Sequence, residues 1–140
     1  YANFIQKSVN YRKNYKKSII QNKNNSKIKQ YSEDEKDLGN LNYDDYLVEI
    51  KNILKLNYKV TKPGGYAAWI VKDYRDTKND MPYVPIHSDL SVIGQKVGWK
   101  FHDLIILDQN ENRSLVALGY PTVFYTNQNC SFVVIFRKPN

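Results

Sequence analysis

The chain of 140 residues holds a single cysteine, a single methionine, two histidines and only six glycines. One cysteine cannot form an internal disulfide, and two His with one Cys make a poor metal set, so neither a disulfide framework nor a metal centre is expected. Cys130 stands in the apolar run Cys130-Ser131-Phe132-Val133-Val134-Ile135-Phe136 and reads as a buried structural thiol. No run approaches the ~20 apolar residues that span a bilayer, and no signal peptide is visible. The expectation is a cytoplasmic protein without a membrane partner. Acidic residues are missing from the first 30 positions, which carry eight basic side chains.

That last absence localises the charge. The net charge is +7, yet the other 110 residues hold 13 basic against 14 acidic groups, so the excess belongs to the N-terminal segment. Lys7, Arg12, Lys13, Lys16 and Lys17 are its core. Such a block attracts a polyanion through counterion release, and nucleic acid is the first candidate. A solvated Lys- and Asn-rich arm fits the composition equally well. Twelve tyrosines suit half-wet positions, where a ring packs while its hydroxyl stays solvated.

The apolar share of 41% allows one ordinary domain. Residues 1–40 read as a basic arm and loop, with one helix around residues 10–21 and an acidic, turn-prone link over 31–40. Residues 41–140 read as the folded unit. Asn42 is placed to cap a helix, with Asp44 and Asp45 in its first turn, where the helix dipole favours negative charge. Tyr43, Tyr46, Leu47, Ile50, Ile53, Leu54 and Tyr58 then recur at three- and four-residue spacing. Lys62-Pro63-Gly64-Gly65 ends the pattern, because proline cannot continue a helix and glycine permits the reversal. Tyr66-Ala67-Ala68-Trp69-Ile70-Val71 is apolar almost throughout and reads as a strand covered on both faces. A loop with Pro82 and Pro85 precedes a second helix over 86–97, with Ser88 as a cap and Gly98 as its left-handed terminator. Strands follow over 101–107 and 131–137, separated by a long turn-rich stretch. Two strands flanking a helix read as parallel neighbours with a right-handed crossover. The class is α/β.

Several segments in order resemble the N4-cytosine and N6-adenine amino-methyltransferases that act on DNA. They are Asp37-Leu38-Gly39-Asn40, Tyr46-Leu47, Lys62-Pro63-Gly64-Gly65-Tyr66, Val71-Lys72-Asp73-Tyr74-Arg75, His87-Ser88-Asp89, Gly98-Trp99-Lys100 and the terminal Phe132-Val133-Val134-Ile135-Phe136-Arg137-Lys138-Pro139. The likeness covers about the last 100 residues. The opening Tyr1-Ala2-Asn3-Phe4 looks like the end of the family's four-residue motif, an Asp, Asn or Ser followed by Pro-Pro-Tyr.

The resemblance implies the C-terminal half of a methyltransferase catalytic domain with a partial Rossmann-like sheet. Three strands are expected, the last antiparallel and lying between the first two, with flanking helices. It implies S-adenosylmethionine as methyl donor and an exocyclic amine of cytosine or adenine as target, in a restriction-modification or orphan enzyme. Tyr1 would stack on the flipped-out base. The Gly-rich loop that receives the donor is not among these residues, so donor binding by the chain alone is not expected. The chain would be inactive alone, completed by an N-terminal half or by a second chain, a further copy of itself included. Asp73 and Arg75 stand where open α/β sheets place ligands, at the carboxyl end of a central strand. His87 is a candidate for a helix-start hydrogen bond, or for a contact to phosphate or base. Arg113, with Tyr120 and Tyr125, lies on a long loop that could hold DNA. Two other readings stay open: a non-catalytic DNA-binding module using the basic arm, and an RNA or tRNA methyltransferase fragment.

Overall fold

A computed structural model describes residues 32, 34–76, 81–109, 111, 117–118, 125–126 and 128–140. The expected helix over 10–21, Tyr1, the basic residues Lys7, Arg12, Lys13, Lys16 and Lys17, and Arg113 all lie outside the described residues. Two compact units are present, residues 1–49 and 50–140.

In the first unit, the acidic link folds into a short 3-10 turn, Leu38–Asn40. The Asp37 carboxylate accepts the Gly39 N–H at 2.8 Å, and Asn40 Nδ2 donates to the Ser32 and Asp34 carbonyls. Helix α1, Tyr43–Val60, starts as expected. The Asn42 side-chain oxygen accepts the Asp45 N–H at 3.0 Å, satisfying one orphan donor of the first turn.

The second unit takes up the helix at Ile50. Ile50 and Leu54 are buried, while Leu56 and Val60 face outward. The helix ends at Thr61, whose hydroxyl donates back to the Asn57 carbonyl. Gly64 adopts φ +71 in the turn that follows, a conformation that costs other residues about 1 kcal/mol or more. That turn is closed by the C-terminus: Gly64 N–H donates to the Lys138 carbonyl, and Lys138 N–H donates to that of Gly65.

Strands β1, Tyr66–Val71, and β4, Lys100–Asp108, flank β7, Cys130–Arg137, in the order β1-β7-β4. β7 runs antiparallel to both, pairing Trp69 and Leu104 with Val134. The predicted central position of the last strand is therefore what the sheet has. β1 and β4 are parallel to one another but not neighbours, since β7 lies between them. The simple crossover rule failed because the last strand inserts between its two flanks.

Helix α2, Ile86–Val97, covers one face of this sheet, and Gly98 ends it at φ +115. Gly94 lets α2 approach β7 closely: a methyl group there would lie 2.5 Å from a ring carbon of Phe136. Leu54, Val134 and Phe136 are wholly buried, and Trp99 Nε1 ties the sheet to α1 by donating to the Leu54 carbonyl at 3.2 Å. The Tyr58 and Trp99 rings meet edge-on at 5.2 Å.

The other face of the sheet is open. Tyr66, Ala68 and Ile70 alternate outward along β1, and Ile70 is 72% exposed. Expected coverage of β1 on both faces is thus not found; its continuous apolar run leaves half its side chains in water. Ile70, Val133 and Ile105 form one cross-strand row on that face. β1 and β4 are both edges of the sheet, and among the described residues neither has a partner strand on its outer side.

Two small antiparallel pairs accompany the sheet. β2, Tyr74–Asp76, pairs with β3, Met81–Val84, where the sequence suggested only a loop. β5, Ala117–Leu118, pairs with β6, Tyr125–Thr126, inside the long connection. Cys130 opens β7 half-buried, at the sheet's rim rather than in the core expected for it.

Candidate functional site

Antiparallel register brings the carboxyl ends of β1 and β4 together with the amino end of β7. Polar residues accumulate here, in contrast to the apolar strands themselves. Lys72 Nζ donates to Gln109 Oε1 at 2.8 Å, and Gln109 Nε2 reaches Ser131 Oγ at 3.3 Å. Both links bridge strand ends across the sheet.

Asp73 is the centre of the cluster. Its residue exposure is 1%, and a carboxylate so buried needs hydrogen bonds to remain charged. Three are present. Oδ1 accepts the backbone N–H of His87 at 3.1 Å, while Oδ2 takes Tyr83 Oη at 2.7 Å and His87 Nδ1 at 2.6 Å. His87 is the second residue of α2, so the Asp73 carboxylate caps that helix and faces the positive end of its dipole. Pro85 occupies the N-cap position with no side-chain bond, and Ser88 does not serve as the expected cap. The cap comes from a different segment, 14 residues earlier.

The His87 imidazole stacks on Phe132, centroids 4.1 Å apart, and its side chain remains 26% exposed. His87 therefore holds the helix-start hydrogen bond expected of it, through its backbone N–H, and its ring meets the same carboxylate through Nδ1.

Arg75 lies two residues beyond Asp73, on the same side of the strand. Its guanidinium is sandwiched between Tyr83 and Tyr125, at 5.4 Å and 5.1 Å from the ring centroids. Nε donates to the Thr126 carbonyl and Nη1 to that of Pro82. Arg75 thus locks β3 to β6. Tyr83, opposite it, is 42% exposed although its hydroxyl is fixed. Burial of the phenol, then its bond to Asp73, push its pKa up to about 12; a bond from Gln128 acts the other way. The Tyr83 hydroxyl accordingly stays protonated and donating.

Sequence reasoning placed Asp73 and Arg75 at this end of the sheet and His87 at a helix start, and the structure joins His87 to Asp73. It missed Tyr83, because Tyr83 precedes Pro85 in a segment that reads as loop. The only available signal was Tyr74-Arg75 and Pro82-Tyr83 as short β-prone pieces on either side of a polar turn.

The described residues do not form a donor cradle. The glycine turn at residues 62–65 precedes β1 rather than following it, lies at the opposite end of the sheet, and is closed by the chain's own residues 138 and 139. No group of three His, Cys, Asp or Glu among the described residues could hold a metal ion. No described helix is long and apolar enough to cross a membrane.

No family model matches the chain, and no curated protein matches it in sequence. Solved structures do match in fold. Crystal structures of a candidate DNA modification methylase of Thermus thermophilus superpose with TM-scores of 0.57 and 0.56 at 20% identity. A third, of that protein complexed with S-adenosyl-L-methionine, gives 0.56 at the same identity. Each alignment covers 70% of this chain but only 38% or 39% of the other. The fold is that of the Rossmann-like methyltransferases, and the chain spans well under half the length of those neighbours.

Proposed function

We propose that these residues form the target-side part of an S-adenosylmethionine-dependent DNA methyltransferase that modifies an exocyclic amine of cytosine or adenine. The observation that carries this reading is the sheet order β1-β7-β4, with its inserted antiparallel strand, ending in a polar cluster on Asp73. An open apolar face and an unpaired β1 edge on the same described sheet support completion by further polypeptide. That polypeptide would be an N-terminal half or a complementing chain, with a second copy of this chain as the homo-oligomeric form. The reading carries with it a restriction-modification or orphan role and a cytoplasmic location.

The donor supplies an electrophilic methyl group when bound. The glycine turn at residues 62–65, closed by residues 138 and 139, does not fit the donor. What this chain contributes is on the DNA side. An exocyclic amine is a weak nucleophile, its lone pair being delocalised into the ring, so the base must leave the helix and be held still. Tyr1 stays a base-stacking residue in this proposal. Lys7, Arg12, Lys13, Lys16, Lys17 and Arg113 contribute phosphate contacts that are insensitive to sequence. Asp73 and Arg75 act as positioning residues: one orients His87 and Tyr83, the other fixes the surrounding loops.

The test is nucleoside mass spectrometry. The polypeptide bearing these residues, at its natural length, is expressed in a host lacking DNA methylation. N4-methylcytosine or N6-methyladenine is expected in the digested DNA. Absence of both, with the protein folded and abundant, removes the reading. Methylated guanine in RNA instead would transfer it to RNA.

A further inference from the structure

We propose that Tyr83 is a stacking platform for an unpaired DNA base, a site separate from Tyr1 and built on Asp73, Gln128 and Arg75. This rests on the DNA-methyltransferase reading and deepens it by naming a second base contact.

Three features distinguish Tyr83 from the other exposed apolar side chains. The first is rigidity. Its hydroxyl donates to a wholly buried carboxylate and is also bonded by Gln128, which fixes both ring torsions. The second is backing. Arg75 lies against the ring and is itself fixed by two backbone carbonyls and by Tyr125 behind it. A guanidinium held in this way supports the ring from one side. The third is exposure. Tyr83 as a residue is 42% exposed although its hydroxyl and one side of its ring are engaged.

An aromatic ring that faces water yet is held in a single orientation contacts a partner at low entropic cost. The partner with a matching planar face at the carboxyl end of an open α/β sheet is a nucleobase released from its stack. His87 stands on the same carboxylate oxygen, and its side chain is part-exposed beside Tyr83's anchor. Paired duplex bases offer no such face, so the subsite takes a flipped or single-stranded nucleotide.

The experiment is photo-cross-linking of the full chain to a single-stranded oligonucleotide carrying 5-iodouracil, at low salt, with the adduct mapped by peptide mass spectrometry. An adduct on Tyr83 in the wild-type chain is the expected result. Tyr83→Leu should lower the total yield about tenfold, as loss of one base stack implies, while Tyr83→Phe keeps more than half of it. Adducts confined to the lysine-rich segment or to other tyrosines, with yield unchanged in Tyr83→Leu, overturn the platform but leave DNA binding standing. Absence of any adduct overturns both the platform and the DNA-binding reading beneath it. Mapping on the wild-type chain makes the outcome independent of whether the variants fold.

Discussion

His87 Nδ1 lies 2.6 Å from Oδ2 of Asp73, and the backbone N–H of the same histidine lies 3.1 Å from Oδ1. One carboxylate thus holds both the start of α2 and the ring of a part-exposed histidine. Replacing it by the isosteric amide separates shape from charge. Asp73→Asn keeps one acceptor oxygen but turns an NH2 group either toward the His87 backbone N–H or toward Tyr83 Oη and His87 Nδ1, so the three bonds to the carboxylate cannot all survive. Such a loss costs roughly 1–3 kcal/mol. Urea unfolding followed by tryptophan fluorescence should show a lower midpoint with an unchanged slope. An unchanged midpoint would mean that the carboxylate is not the cap described.

The Tyr83 phenol gives a pH prediction with a definite sign. Its folded pKa is about 12, above the ordinary value of 10, so the folded state holds this proton more tightly than the unfolded chain. The associated stability is fully present below pH 10 and is lost as pH rises from 10 to 12. Because Tyr83 is partly exposed, solvent screening weakens the effect. Alkaline titration of phenolate absorbance in the near ultraviolet should show a late phenolate that is missing in Tyr83→Phe, beside that of buried Tyr46, and the variant's stability should fall less steeply over that interval. Identical alkaline profiles for the two chains would count against the Tyr83–Asp73 bond.

The strands and helices were legible because their signals are local and redundant. Helix α1 was placed by apolar spacing, α2 by the prolines before it and Gly98 after it, β7 by its apolar run, and all three are found where expected. The burial of β1 was not legible. Tyr66-Ala67-Ala68-Trp69-Ile70-Val71 reports that both faces are apolar, not whether a second layer covers each. The site shows the same division. Asp73 and Arg75 were suggested by their position after a strand, but the pairing of Asp73 with His87 spans 14 residues and depends on α2 returning over the sheet. Tyr83 was hidden, because a strand containing Pro82 reads as loop until its partner across the hairpin is known.

Gly94 marks the closest approach of α2 to the sheet. A Cβ there would collide with the Phe136 ring, which is wholly buried and cannot yield. Alanine is the better helix former by about 1 kcal/mol, yet overpacking of this kind costs about 1–3 kcal/mol. Gly94→Ala should therefore destabilise, measured as a lower thermal midpoint. An increase would show that α2 stands further from β7 than described.

Lys138 closes the C-terminus of α1 from 77 and 80 residues away. Its Nζ donates to the Thr61 and Tyr58 carbonyls at 2.7 and 2.6 Å and sits 4.6 Å from the centre of the Tyr58 ring. Carbonyls at a helix end carry partial negative charge, so this ammonium is favourable through both hydrogen bonds and the dipole. Lys138→Met preserves the apolar stem and removes the charge, and should cost about 1–2 kcal/mol in chemical denaturation. A loss well below that would reduce the contact to a surface lysine at rest.

The open sheet face carries the last prediction. Ile70, at 72% exposure, and Ile105, at 45%, flank Val133 in one row across all three strands. Apolar rows of this kind beside unpaired strand edges favour association. If further polypeptide completes the sheet, the isolated chain should self-associate reversibly as its concentration rises in sedimentation velocity. Ile70→Lys places a charge in the row at a position that contributes little to the chain's own core. It should leave the thermal midpoint within about 0.5 kcal/mol equivalent while shifting the distribution toward monomer. A wild-type chain that stays monomeric and monodisperse at every concentration would mean that this face needs no cover, and the proposal of a completing half or partner would fall with it.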